Sequence, residues 1–304
     1  MDDTFTIVGL GEALWDMLPG GKQLGGAPLN VACHAQHVLK RRGGRGVVAS
    51  RVGKDSLGDQ VLRELHDRGM PTNYLQHDEQ HATGTVHVQL DQGQPTYTIT
   101  REVAWDHLEF TSEWADLAAT CTAVCFGTLA QRSAASRESV WQFLDAARPA
   151  IRLFDVNLRQ AYYDRESIVE GCRRATIVKL NEEELPIVAE HLELRAGERD
   201  GQLAELRTKC RLEAVVLTRG ARGTLLVLAS ETIDPPPASY PAAADADAVG
   251  AGDACAAGIL AGWVLGLPPP RTAELANHLG AYVASQPGAT PELPAEIVSL
   301  VRDS

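Results

Sequence analysis

Apolar residues along this chain come in short runs separated by amphipathic stretches of helical length. Phe5-Thr6-Ile7-Val8-Gly9-Leu10-Gly11-Glu12 is nearly continuous in apolar character and closes on a glycine, the pattern of a strand buried on both faces. Residues 47–53, 122–127, 151–157, 176–181 and 214–220 repeat it, and 223–228 is a further apolar segment. Between and after them the spacing predicts helices over 29–40, 55–68 (closed by Gly69), 136–147, 168–174, 203–210, 272–285 and 295–301. Strands alternating with helices predict an α/β fold, a doubly wound and mostly parallel sheet covered on both faces.

One stretch breaks the rhythm. Thr85-Val86-His87-Val88-Gln89-Leu90 alternates, Asp91-Gln92-Gly93-Gln94 turns, and Thr96-Tyr97-Thr98-Ile99-Thr100 alternates again. That is a hairpin with one exposed face, expected to project from the main body as a small β lid. The expected division is a large domain from 1–11, 25–80 and 102–304, with the lid from 12–24 and 81–101.

The chain is organised around Asp247-Ala248-Val249-Gly250-Ala251-Gly252-Asp253 and the almost wholly apolar segment that follows it. A buried helix starting near Gly250 would gather free N–H groups and the positive end of its dipole there, which suits an anion. Gly250, Ala251 and Gly252 leave the backbone open to a phosphate. Asp253, in the first turn, is placed to take a proton from an attacking hydroxyl. The plain alternative is a helix after a turn, with Asp favoured there by the dipole alone.

Ligands of parallel sheets bind beyond the carboxyl ends of the strands. Gly11 and Glu12, Asp155 and Asn157, Asn181, Thr218 and Gly220, and the loop before Asp253 all fall at that edge. Asp16, enclosed by apolar residues, is either a turn residue or an acceptor for substrate hydroxyls. Gly25 and Gly26 allow close approach to a ligand, Pro28 suits a first helical turn, and Asn30 lies near that helix start. Arg101, at the end of the hairpin, either reaches a substrate anion or pairs with a nearby acid. There is no GxxxxGK[ST] and no GxGxxG after the first strand, so neither a P-loop nor a dinucleotide site is expected.

Composition narrows the partners. The 304 residues are enough for one large or two ordinary domains, and a net charge of -12 argues against a nucleic-acid partner. The six cysteines form no CxxC pair, and Cys121 and Cys125 lack the second pair a zinc site needs. Buried thiols in a reducing cytoplasm are the expectation. Met1-Asp2-Asp3-Thr4 lacks the basic start of a signal peptide, and no apolar run is long enough for a membrane span. Trp105 and Trp114 read as packing, and His34, His37 and His87 have no partner pattern.

Gly25-Gly26-Ala27-Pro28-Leu29-Asn30-Val31-Ala32, Asn181-Glu182-Glu183-Glu184, Asp155-Val156-Asn157-Leu158-Arg159 and Asp247 to Asp253 together carry a resemblance. Over nearly its whole length the chain is similar to the ribokinase-like sugar kinases of the phosphofructokinase-B family, fructokinase-type members above all. The resemblance implies ATP-dependent phosphorylation of a sugar hydroxyl, fructose-like in the first place. It implies Asp253 as the base and Gly250, Ala251 and Gly252 as the anion hole. Asp16, Gly25, Gly26 and Asn30 would hold the sugar, with Asn157 and Arg159 on the sugar or phosphate side. Asn181 and Glu184 would organise the waters of Mg²⁺. Thr218, Gly220 and Gly223 would border the nucleotide, with Asn277 near adenine. Asp247 and the Gly288 loop are where members that use K⁺ would hold it. A homodimer formed through the lid is the implied assembly.

Two departures stand out. Ala248 replaces the family's threonine, and Ala161-Tyr162-Tyr163 stands where fructokinase-type members often have Leu-Trp. Kinases of 2-keto-3-deoxygluconate or of nucleosides are the rivals within the family. An idle sugar sensor is the rival outside it.

Overall fold

The computed structural model describes residues 5–91 and 94–301, with the side chains of 88–91 and 94–96 left aside. The acidic start at 1–4 and the centre of the predicted hairpin turn, 92–93, lie outside the described residues. The first strand, β1 (Thr6–Leu10), is buried along its whole length. It is followed by β2 (Leu14–Leu18), β3 (Gly21–Gly25), α1 (Ala27–Leu39), β4 (Arg45–Gly53), α2 (Ser56–Asp67) and β5 (Leu75–Asp78). The hairpin strands β6 (Gly84–Asp91) and β7 (Gln94–Ile99) come next. The βα rhythm then resumes with α3 (Ser112–Thr120), β8 (Ala123–Gly127), α4 (Ala134–Ala146), β9 (Ile151–Asp155), α5 (Arg165–Arg174) and β10 (Ile177–Asn181). The chain ends with α6 (Glu184–His191), α7 (Arg199–Cys210), β11 (Ala214–Thr218), β12 (Thr224–Val227), β13 (Thr232–Ile233), α8 (Ala251–Val264), α9 (Pro269–Val283) and α10 (Ala295–Ser299).

The main sheet has nine strands in the order β13-β12-β11-β10-β9-β8-β1-β4-β5. It is parallel from β11 to β5, and β12 and β13 add an antiparallel edge. Successive side chains of a strand point to opposite faces, so Ile7 and Val8 enter different cores. One core packs α3 to α7 against Phe126, Phe154 and Leu217; the other packs α1, α8 and α9 against Ala123, Leu153 and Val216. Helix α8 is buried from Asp253 to Gly262. At Gly258 a Cβ would come 2.7 Å from the Cα of Ala276, so the glycine sets how closely α8 and α9 approach.

A second sheet of four strands runs β3-β2-β6-β7, with β2 and β6 parallel and both outer pairs antiparallel. Its strands come from the segment after β1 and from the hairpin. Strand β3 continues to Gly25, one residue beyond the expected lid boundary.

Candidate active site

Helix α8 starts at Gly250, whose φ of 78° lies in the left-handed region, and no side chain caps it. A Cβ there would stand 2.4 Å from the carbonyl oxygen of Ala289, so conformation and space both call for glycine. Asp247 shapes the approach. Its Oδ1 accepts the Val249 N–H at 2.9 Å and its Oδ2 accepts the Gly288 N–H at 3.1 Å. The first turn of α8 thereby borders a cavity of about 460 Å³, with the Ala251 N–H bonded to Ala248 O at 3.3 Å. Ala248, Ala251 and Gly252 line that cavity together with Thr218, Gly220, Gly223 and Asn277. The residues read as anion hole and those read as nucleotide border therefore share one space.

Asp253 is 9% exposed and lies in the first turn of α8. Its Oδ2 accepts a 2.8 Å hydrogen bond from Asn30 Nδ2. Asn30 is placed by α1, its own N–H bonding the Gly26 carbonyl at 2.9 Å. Burial pushes the Asp253 carboxyl up to about 6, and Asp155 adds to the rise; the Asn30 bond, Lys179 and Arg159 oppose it. Asp16, on β2, is held at about 6 by burial, against Arg159 and with a push from Asp253. Arg159 is exposed, and its charge reaches both carboxylates. Gly25 faces the same acid: a Cβ there would stand 2.5 Å from Asp16 Oδ2.

Two groups that the sequence reading left without a role belong to this centre. Glu12 is 3% exposed; its Oε1 accepts the Ala27 N–H at 3.3 Å and its Oε2 has no partner. Burial lifts it to about 7, its own and the Ala27 amide oppose the rise, and Asp253 adds to it. Lys179 is 5% exposed, with Nζ 2.9 Å from each oxygen of Asp155. A Cβ on Gly252 would lie 3.4 Å from that ammonium, which sets a buried cation behind the helix terminus. Burial works against the charge, but Asp155, Cys255 and Glu184 together offset it and the ammonium is held above its ordinary range. A lysine within Ile177-Val178-Lys179-Leu180 was the available signal, since a charge inside an apolar strand needs a partner.

Among the residues expected to border a nucleotide, Gly223 has φ 75°, and a Cβ there would stand 2.8 Å from the Asn277 amide. Asn277 lines the cavity, but its amide is tied to the backbone: Oδ1 accepts the Thr224 N–H at 2.8 Å and Nδ2 donates to Pro236 O at 3.1 Å. Asn181 Oδ1 accepts the N–H groups of Glu183 and Glu184 at 2.9 Å each. Glu184 is 7% exposed, and its two oxygens accept the N–H groups of Leu158 and Asn181 at 2.8 and 2.9 Å. Asn157 has a left-handed φ of 41°.

Arg101 sits elsewhere. It lines a cavity of about 300 Å³ with Arg132 and Tyr162, donates from Nε to the Tyr162 hydroxyl at 3.3 Å, and lies 5.1 Å from that ring's centre. Its partner is a phenol rather than an acid. His34 is a core histidine, with Nε2 3.0 Å from Ala289 O; burial lowers it to about 4. Trp105 and Trp114 are buried in the core, and all six cysteines are buried free thiols. Among the described residues no helix is long and apolar enough to cross a membrane, and no group of three or more His, Cys, Asp or Glu side chains could hold a metal.

Residues 20–296 match the sequence profile of the pfkB family carbohydrate kinases. The Escherichia coli fructokinase is 31% identical over 94% of this chain and 95% of its own length. A sugar kinase of Pyrococcus horikoshii, solved in complex with ATP, superposes with a TM-score of 0.80 at 26% identity, covering 98% of this chain and 100% of that one. Fructokinase of Vibrio cholerae, solved with fructose, ADP and calcium ion, shares the fold at a TM-score of 0.81 and 23% identity, over 99% of this chain and 100% of that one.

Proposed function

The chain belongs to the pfkB family of carbohydrate kinases, and from that premise we propose that it transfers the γ-phosphoryl group of ATP to a hydroxyl of a fructose-like sugar, with Asp253 as general base. The observation that carries the reading is the position of Asp253: bonded to Asn30 and in the first turn of the helix whose Ala251 and Gly252 line the cavity of about 460 Å³. Asp16 and the Gly25-Gly26 turn supply the sugar side, where carboxylates accept hydroxyl protons and a bare backbone allows close contact.

In this mechanism Asp253 takes the proton from the sugar hydroxyl as its oxygen attacks the γ-phosphorus, and the bond to the ADP oxygen breaks in line. Gly250, Ala251 and Gly252 form the anion hole that receives the phosphoryl oxygens; the Ala251 N–H exchanges its 3.3 Å bond to Ala248 O for the phosphoryl group. Lys179, held behind them by Asp155, biases the field toward that negative charge. The raised carboxyl of Asp253 is still ionised at neutral pH, yet basic enough to compete for a hydroxyl proton.

The carboxylate of Glu184 and the amide of Asn181 are hard oxygen groups that would suit a Mg²⁺ ion brought by the nucleotide, which would supply charge neutralisation at the phosphates. Asn181 and Glu184 would face its water shell. Asp247, bonded to the Gly288 amide, is the group that would meet a K⁺ ion. The buried free thiols suit a reducing, cytoplasmic setting, and the small sheet is the proposed contact of a homodimer.

A coupled ADP-release assay over a panel of sugars, run with and without K⁺, tests the proposal. Fructose-dependent ADP release that disappears in Asp253→Asn is expected. ATP consumption indifferent to every sugar would overturn it and favour the sensor reading.

A further inference from the structure

Glu184 opens α6, on the nucleotide side, yet one of its oxygens reaches across to a different loop. Oε1 accepts the N–H of Leu158 at 2.8 Å, while Oε2 accepts the N–H of Asn181 at 2.9 Å. Leu158 lies between Asn157 and Arg159. Asn157 holds φ at 41°, a left-handed conformation that costs a non-glycine residue about 1 kcal/mol or more and persists only where its surroundings fix it.

The fixing bonds are few. Val156 N–H bonds Lys179 O at 2.9 Å, and Thr128 Oγ1 donates to Val156 O at 2.9 Å and to Asn157 O at 3.4 Å. Beyond Asn157 the Leu158 amide bonds Glu184, the Arg159 carbonyl accepts the Tyr162 N–H at 3.0 Å, and Gln160 Nε2 donates to Tyr97 O at 2.6 Å; of these only the Glu184 bond joins the turn to β10 and α6. Arg159 is the cation whose charge reaches Glu12, Asp16 and Asp253.

We propose that Glu184 is a positioning residue for the sugar side of the site: through the Leu158 amide it holds the Asn157–Arg159 turn and thereby sets where Arg159 stands. The inference rests on the kinase reading for the identity of the sugar, but not for the bond itself. A carboxylate accepting N–H groups from β10 and from the turn after β9 joins the two by charge-assisted hydrogen bonds, which are the stronger kind. Nucleotide-side and sugar-side segments are then tied by one side chain. A substitution at 184 reaches the sugar even when no nucleotide or metal is present.

The test uses the full chain in EDTA, without nucleotide, with fructose as the probe. In Glu184→Ala the fructose Kd measured by calorimetry rises about tenfold, the scale of one lost charge-assisted bond. Arg159→Ala weakens binding as well, and the double variant is no weaker than the worse single one, because Glu184 acts through Arg159. Independent effects that multiply, or an unchanged Kd in Glu184→Ala, overturn the proposal.

Hydrogen exchange of the 156–160 segment gives a second readout. In Glu184→Gln, which preserves the side chain's size, exchange quickens by about tenfold where the Leu158 amide loses its anionic acceptor. Unaltered protection there overturns the proposal even if Glu184→Ala fails to fold. Should the wild type bind no fructose, the sugar assignment falls, and the exchange result decides the coupling by itself.

Discussion

Asn30 and Asp253, 223 positions apart, share a 2.8 Å hydrogen bond from Asn30 Nδ2 to Asp253 Oδ2. The bond joins α1 to α8 across one side of the main sheet, and it points the lone carboxylate of the helix terminus at the residues that follow the Gly25-Gly26 turn. Asn30 Oδ1 has no protein partner, so the amide keeps an unused acceptor beside the carboxylate.

Replacing that carboxylate by its amide isolates the base. Asp253→Asn keeps the size of the side chain but removes the acceptor for the hydroxyl proton. Turnover falls by at least about 10²-fold, the usual scale of a general base, while the sugar KM changes little. Steady-state kinetics with fructose and ATP check the split, and a variant retaining wild-type kcat removes Asp253 from the chemistry.

The same carboxyl makes stability depend on pH in a direction that can be stated. In the fold it binds its proton more tightly than in the unfolded chain, rising from 3.8 to about 6. Its stabilising contribution is therefore complete below about pH 4 and is lost as pH rises through 6, an effect of about 3 kcal/mol for a fully buried group. Asp253→Asn cannot ionise. Its melting temperature exceeds the wild type's at pH 7.5 and matches it at pH 4. Turnover runs the opposite way: the wild type loses activity below about pH 6 as Asp253, coupled to Asp16 and Glu12, is protonated. Melting curves and kcat profiles over that range read both limbs.

The glycines at 250 and 252 separate fold from function. Alanine at 250 must hold φ at 78° with its methyl 2.4 Å from Ala289 O, so Gly250→Ala destabilises the protein by about 2 kcal/mol or more. Alanine at 252 meets Lys179 Nζ at an ordinary 3.4 Å and is favoured within a helix, so Gly252→Ala melts at or above the wild-type temperature. Its methyl nevertheless stands between the ammonium and the cavity. A kcat/KM for ATP about tenfold lower in a stable protein is the expected result. Full ATP efficiency would show that the phosphoryl group does not pass this edge of the helix.

What the sequence made legible follows from how local each signal is. Buried parallel strands announce themselves as apolar runs, so β1, β8, β10 and β11 are readable to within a residue or two. Gly250 marks the start of α8 because the helix after it is apolar on every face. Strand β5 is not readable: Leu75-Gln76-His77-Asp78 has no alternation, and its register against Ser50–Gly53 of β4 makes it a strand. Helix α6 is masked by Pro186 within its first turn, although Asn181 and Glu184 bracket that turn with hydrogen bonds. Glu12 and Arg101 show the limit for single residues. Whether a side chain turns toward Asp253 or toward Tyr162 depends on the packing of distant segments, which no local pattern records.

Lys179 and Asp155 yield the last expectation. They form a buried pair, with side chains 6% and 4% exposed. Removing one partner leaves the other ionised in a core that solvates it poorly. Lys179→Met therefore costs roughly 3–5 kcal/mol by urea denaturation. Removing both charges releases most of that penalty, because a buried pair gains little over neutral groups of similar shape; Asp155→Asn with Lys179→Met recovers stability to within about 1–2 kcal/mol of wild type. Activity does not return with it if the ammonium serves the phosphoryl group beside Gly252. A double variant both stable and fully active would confine the pair to a structural role.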